Sequence, residues 1–300
     1  MSRLISDKYN QWETECNNRF DTLKANEEQL NKIFIEIYGL QDELTPDVDD
    51  KDVTVRKADL VREIKSLISY SVGCMFGRYS LDEDGLVYAG GDFDPDKYNT
   101  FKPVQDNILL ITDDDYVTDD ITSRFIEFIK VVYGEDTLQE NLEFIASVLS
   151  GGGLAKEKIR RYFLKDFYKD HVKMYQKRPI YWLYDSGKMD GFKVLVYMHR
   201  YNQDTTGRVR VDYLHQLQKV YYSEIERMQE NIDAKFEVAK SQKRLEKLSK
   251  QLKEAKEYDE KIAYLALARV GIDLDDGVKV NYQKVQTSAD GKAVAILAKI

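Results

Sequence analysis

Between Gly207 and Gly271 the chain runs without a single glycine or proline. These two residues are the strongest local breakers of regular structure, so so long a stretch without them is committed to helix. Leu245, Leu248, Leu252, Ala255 and Ile262 keep a near-heptad spacing along it, and Ile225, Met228 and Ile232 begin a second apolar seam. Asp259 falls on a seam position and interrupts it. The pattern predicts two antiparallel helices over 212–271 that turn around Asn231–Ser241, since an unbroken rod would need one continuous seam. The whole chain of 300 residues holds only four prolines (Pro46, Pro95, Pro103 and Pro179) and 16 glycines. The expected class is mainly α with small β elements (α+β): a multi-helix bundle with a β-hairpin and a long helical hairpin.

Residues 1–150 read as an acidic, mainly helical domain. Leu30, Ile33, Phe34, Ile37 and Tyr38 repeat at helical spacing and stop at Gly39. A second helix is expected from Ala58 to Met75, with Leu60, Val61, Ile64, Leu67, Ile68 and Val72 on one face and the carboxylates Asp49–Asp52 just ahead of it. From 79 to 117 glycines, prolines and aspartates cluster, which predicts an irregular segment with short strands at Leu86–Tyr88 and Ile108–Ile111. Helices follow after Asp119-Asp120 and over Thr137–Leu149, the latter closed by Gly151-Gly152-Gly153. Ile180–Tyr184 and Phe192–Met198 are aromatic and β-branched around a turn-rich 185–191, the mark of a hairpin. Residues 272–300 are expected to form a short β-containing tail.

Charge divides the chain. Residues 1–150 hold 15 Lys+Arg against 32 Asp+Glu, a net of −17, and residues 151–300 hold 30 against 21, a net of +9. Such asymmetry points either to a polyanion-binding half beside an acidic one or to two halves that attract each other. Mean hydropathy is −0.54, and no run of about 18 apolar residues occurs, so no membrane span is expected. The first 16 residues lack the apolar stretch of a secretory signal. Cys16 and Cys74 are too few and too far apart for a disulfide framework or a common zinc site. A reducing cytoplasm is the expected compartment.

The basic excess starts in 151–211, read as a basic helix plus hairpin. On one helix from Leu154 to about Gln176, Lys158, Arg161, Lys165, Lys169 and Lys173 follow steps of three and four. At about 100° per residue they fall within about 120° of one another. Such a helix spans about 35 Å, close to one turn of duplex DNA at about 34 Å. Lys177 extends the row. The row suits phosphate contacts, and Arg178, Lys188, Lys193 and Arg200, around the hairpin, are candidate base readers. Ten of the 21 tyrosines lie between Tyr162 and Tyr222; they suit either base stacking or a partly wet core.

Catalytic motifs are missing. There is no P-loop, no G-x-G-x-x-G and no G-x-S-x-G, and His171, His199 and His215 are scattered. The triple glycine either offers backbone N–H groups to a phosphate or ends a helix. Asp273–Gly277 and Asp82–Gly85 mimic calcium loops, but the twelfth loop positions are Lys284 and Phe93, where a glutamate is needed. Asp47, Glu63 and Lys65 fit a loose metal-nuclease pattern, yet Glu63 and Lys65 fall two apart on a helix and point to different sides. No metal site and no catalytic residue are expected.

Five stretches together carry a family resemblance. They are Lys177-Arg178-Pro179-Ile180-Tyr181-Trp182; Gly191-Phe192-Lys193 with Val196-Tyr197-Met198-His199-Arg200-Tyr201; Leu30–Phe34 through Tyr38-Gly39-Leu40; Ser71–Tyr79; and Ile272–Asn281. Together they resemble the C-terminal region of the PglX family, adenine-specific DNA methyltransferases of BREX phage-exclusion systems. More distantly they are similar to single-chain restriction–methylation enzymes. That family's N-P-P-[YF] motif is absent, because none of the four prolines follows an asparagine, and its cofactor loop is absent too. The resemblance therefore implies a target-recognition and spacer region that follows the catalytic domain. It is expected to bind double-stranded DNA, to hold no cofactor itself, and to leave S-adenosylmethionine to the methyltransferase domain of the same parent chain. Other BREX proteins are further expected partners. The rival readings are a protein-interaction scaffold and a metal-dependent nuclease.

Overall fold

A computed structural model describes residues 3–300. Its centre is a small antiparallel sheet. The strands β1 (Ile108–Ile111), β2 (Tyr181–Asp185) and β3 (Lys193–Tyr197) lie in the order β1-β3-β2. Tyr181 pairs with Tyr197 and Asp185 with Lys193 on one side of β3, and Ile108 pairs with Val196 on the other. Alternate side chains enter two separate cores. Leu109, Ile111, Tyr181, Leu183, Leu195 and Tyr197 face one; Ile108, Leu110, Trp182, Tyr184, Val194 and Val196 face the other. A sheet covered on both faces explains why these strands are continuously apolar rather than alternating.

The six helices that precede β2 cover the first face. They are α1 (Ile5–Tyr38), α2 (Leu60–Met75), α3 (Ile121–Tyr133), α4 (Leu138–Ser147), α5 (Ala155–Lys165) and α6 (Phe167–Met174). Ile64, Ile68 and Val72 of α2 meet Phe125 and Phe128 of α3 and Phe163 of α5 there. Each such side chain, once fully buried, contributes about 1.5–3 kcal/mol. Local chemistry sets the helix ends. Asp120 Oδ1 accepts from Ser123 N–H at 2.9 Å to start α3. Asp59, not the Asp49–Asp52 run, starts α2 by accepting from Arg62 N–H at 2.7 Å. Gly39 ends α1 with φ 65°.

The second face is covered by the helical hairpin. A short α7 (Thr205–Arg208) widens through a π-helical turn at Val209–Leu214 into α8 (His215–Asp233), and α9 (Val238–Ala268) returns. The reversal falls at 234–237, inside the expected window, with Lys235 and Glu237 left-handed. Leu248, Leu252, Ala255 and Ile262 are buried as the seam predicts. Asp259 is tolerated on it because the π turn brings Arg210 Nε to 2.7 Å and His215 Nε2 to 3.0 Å from its carboxylate.

Three local expectations are corrected. The basic segment is two helices, broken at Asp166 (φ −123°, ψ −34°). Leu86–Tyr88 is irregular rather than a strand, with Val87 and Tyr88 both donating to the carbonyl of Arg78. The stretch 272–300 contains a helix, α10 (Gly277–Lys284), and its β character is confined to single bridges at Tyr184–Leu297 and Thr287–Ala293.

Candidate nucleic-acid interface

The break at Asp166 decides where the cations of the stripe go. It turns α6 so that Phe167, Tyr168 and His171 are buried against the sheet. It also distributes the basic residues between grooves on different sides. Arg161 and Lys165 border a groove shared with Asp113, Asp114, Asp115 and Asp190. Lys173 borders a groove of about 590 Å³ between α2 and α6, and Lys169 a smaller one joined to it through Val61, Lys65, Tyr162 and Asp170.

The two sides differ electrostatically. In the first groove the charges neutralise one another: Lys156 lies 2.6 Å from Asp115, and Lys165 pairs with Asp190 and Lys247 with Asp113. Beneath it Arg160, 6% exposed, pairs with the fully buried Asp120. The α2–α6 groove keeps a cationic excess, with Arg56, Arg62, Lys65 and Lys173 against Asp59 and Asp170. Lys65 holds Asp170 at 2.8 Å, and Arg62 holds Glu63 at 2.7 Å. The side-chain charges of Arg56 and Lys173 make no hydrogen bond or ion pair among the described residues.

His171 forms part of this groove's wall. Its Nε2 accepts the N–H of Tyr181 at 3.1 Å, and its ring stacks on Tyr181 at 4.6 Å. Burial, helped by the nearby Arg78 charge, pushes its pKa down to about 3. The ring is therefore neutral near pH 7, and with Nε2 accepting, the proton sits on Nδ1. That nitrogen is buried and has no acceptor among the described residues.

The remaining expected site residues separate into exposed and committed groups. Arg161, Lys177, Arg178 and Lys188 are exposed, and their charged groups make no pair among the described residues. Lys177 stands at the turn after α6 with φ 60°. Lys158 reaches the carbonyl of Ala146 at 3.4 Å and so helps close α4.

Two of the candidate base readers are corrected. Lys193 is 7% exposed, and its ammonium lies 2.6 Å from Asp185 and 3.6 Å from Asp190. Arg200 donates to the carbonyls of Phe76, Val104 and Gln105 at 3.1, 2.8 and 2.9 Å and lies 4.0 Å over the Phe93 ring. Lys193 is spent inside the molecule, and most of the Arg200 guanidinium is committed to backbone carbonyls. The hairpin loop of Lys188 is also fastened down. Glu254 of α9 accepts from Ser186 Oγ at 2.7 Å, Met189 N–H at 2.9 Å and Gly191 N–H at 3.0 Å.

Arg56, Arg62 and Lys65 were missed as site residues because they lie in the acidic half. The signal was present as Arg56, Lys57, Arg62 and Lys65 within ten positions. Most of the clustered tyrosines fill the two cores: Tyr181, Tyr184, Tyr197 and Tyr221 are at most 2% exposed. The Gly151–Gly153 turn does not fit a cofactor's anionic group. Glu157 already accepts the Leu154 N–H at 2.9 Å, and a side chain at Gly153 would strike the Glu157 carboxylate. Two residues of the nuclease reading are engaged elsewhere, Glu63 by Arg62 and Lys65 by Asp170, and no group of three or more His, Cys, Asp or Glu among the described residues is arranged to hold a metal. No helix among them is long and apolar enough to cross a membrane.

With this geometry in place, the chain is similar to adenine-specific methyltransferases, as a match to one region of them. Over 98% of its length it is 48% identical to the adenine-specific methyltransferase PglX of Lacticaseibacillus casei (strain Zhang), of which it covers 25%. It is 39% identical to the adenine-specific methyltransferase BrxX of Escherichia coli O9:H4 (strain HS), again over 98% of its length, covering 28% of that protein. The chain thus spans about a quarter of the length of these curated relatives. No protein-family model matches it.

Proposed function

We propose that this chain is the DNA target-recognition and spacer region of a BREX-type adenine-specific DNA methyltransferase acting in phage defence. In this reading the chain carries no catalytic residue. S-adenosylmethionine binds in the methyltransferase domain of the longer protein, whose Asn-Pro-Pro and cofactor motifs have no counterpart among these 300 residues. The observation that carries the proposal is the α2–α6 groove. It gathers four cations against two carboxylates, leaves Arg56 and Lys173 unpaired, and continues toward Lys169. Unneutralised cations such as Arg56 and Lys173 release counterions when they meet phosphates, and this term supplies most sequence-independent affinity for DNA. Arg161, Lys177, Arg178 and Lys188 remain as exposed cations for further phosphate or base contacts.

The test pairs two binding measurements on the purified chain. Fluorescence anisotropy should show binding to labelled duplexes of unrelated sequence at low salt, and calorimetry should show no micromolar binding of S-adenosylmethionine. Absence of DNA binding at low salt would overturn the recognition role, and micromolar cofactor binding would overturn the division of labour.

A further inference from the structure

α1 leaves the core after its first turns. Ile5 belongs to the sheet-facing core, whereas Phe20 and Ile35 are buried outside it. The chain then doubles back along the helix. Lys24 holds Asp50 at 2.7 Å, Glu28 accepts the N–H of Val48 at 3.3 Å, and Asn31 donates to the carbonyl of Pro46 at 3.2 Å. Helix and return segment together make an arm.

One face of that arm is apolar and open. Leu30, Ile33, Phe34, Ile37 and Tyr38 sit at i, i+3, i+4, i+7 and i+8, the spacing of a stripe built to pack. Yet they are 54%, 43%, 54%, 69% and 69% exposed, and Leu44 beside them is 53% exposed. Phe34 and Tyr38 lie parallel with ring centroids 6.5 Å apart. A contiguous apolar patch of this kind marks an interaction site. Its surroundings choose between occupants. From Asp21 to Asp52 there are ten carboxylates and three lysines, a net of −7. A second copy would set −7 against −7, whereas an apolar groove rimmed by lysine and arginine would be steered onto the arm. Three quarters of the length of proteins such as the curated relatives lies outside this chain, enough polypeptide to supply that groove.

We propose that the Leu30–Tyr38 stripe is the surface by which this region docks onto a basic-rimmed apolar groove in the remainder of the longer methyltransferase polypeptide. The inference rests on the reading above that the chain is a region of such a protein. Like charge disfavours the homotypic alternative, and the acidic rim makes the contact salt-sensitive at its edge while the apolar centre is not.

Site-specific thiol labelling tests it. Ile37→Cys lies on the stripe, and Glu36→Cys, one residue away, points about 100° off it. The native Cys16 and Cys74 are buried. In the 300-residue chain both introduced thiols should label at comparable rates at any concentration. In the full-length protein the thiol of Ile37→Cys should label at least tenfold more slowly than that of Glu36→Cys, as read by mass spectrometry of the tryptic peptides. Equal rates in the full-length protein would overturn the proposal. Slow labelling of the isolated chain that deepens with concentration would overturn it in favour of a second copy. Methyl transfer to adenine by the full-length protein, measured in parallel, tests the underlying reading separately.

Discussion

His171 on α6 and Tyr181 on β2 are joined side chain to backbone: the imidazole Nε2 accepts the Tyr181 N–H at 3.1 Å. The bond fastens α6, with its two exposed lysines, to the edge of the central sheet. It also requires a neutral ring, and burial enforces one by pushing the His171 pKa from 6.5 down to about 3. Because the folded pKa is depressed, the unfolded chain takes up the proton first. The contribution of His171 is complete above about pH 6.5 and is lost as pH falls from there toward 3. Between pH 6.5 and pH 5 that loss is about 2 kcal/mol, at about 1.4 kcal/mol per unit. Urea denaturation of the wild type and of His171→Gln at both pH values should show a pH dependence smaller in the variant by about that amount. Equal dependence would show that the ring is not held neutral.

The helical hairpin makes a plain stability prediction. Leu248 is fully buried in the α8–α9 core, so Leu248→Ala should cost about 2–5 kcal/mol. Lys250, two positions on, pairs only with Glu246 at the surface, and its replacement by alanine should change stability by less than about 0.5 kcal/mol. Thermal or chemical denaturation distinguishes the two, and equal effects would mean that the seam faces elsewhere.

Lys193 and Arg200 should behave as structural cations. Lys193→Met leaves the partly buried Asp185 without its 2.6 Å partner, and the cost should fall below the ~3–5 kcal/mol of breaking a fully buried pair. Any loss of DNA affinity in Lys193→Met or Arg200→Ala should therefore track loss of folded protein and be equal for all duplexes. Selective loss on a preferred site with unchanged stability would restore them as base readers.

Much of the fold was legible because it follows from strong periodicity. The breaker-free run over 208–270 announced the helical hairpin, and the aromatic runs around 185–191 announced β2 and β3. Long-range pairing was not legible. Nothing local says that Ile108–Ile111 joins β3 at the edge opposite β2, or that a single residue, Asp166, breaks a helix whose pattern of cations runs on past it. The site was misread for the same reason. Lys193 and Arg200 are ordinary surface residues by type, and only the folded chain brings Asp185, Asp190 and the carbonyls of Phe76 and Val104 to them. Conversely Arg56 and Lys65 were overlooked because net charge, summed over 150 residues, conceals a basic wall a few residues long. The stripe on α1 read only as a helix ending at Gly39, since spacing alone cannot tell a covered face from one awaiting a partner.

A salt titration of DNA binding tests the central claim most directly. Affinities of the wild type and of the combined Arg56→Ala, Lys169→Ala, Lys173→Ala variant would be measured on two unrelated duplexes across a range of salt. Each lost phosphate contact removes about 0.9 from the slope of log affinity against log salt. The account predicts weaker binding by the variant on both duplexes alike, with a slope flatter by about 2, since Arg56 and Lys173 are unpaired whereas Lys169 lies 3.4 Å from Asp166. The Arg161→Ala, Lys165→Ala pair should change the slope by less, because Lys165 is already neutralised by Asp190. Unchanged affinity and parallel slopes for the triple variant would contradict a phosphate-binding role for the α2–α6 groove.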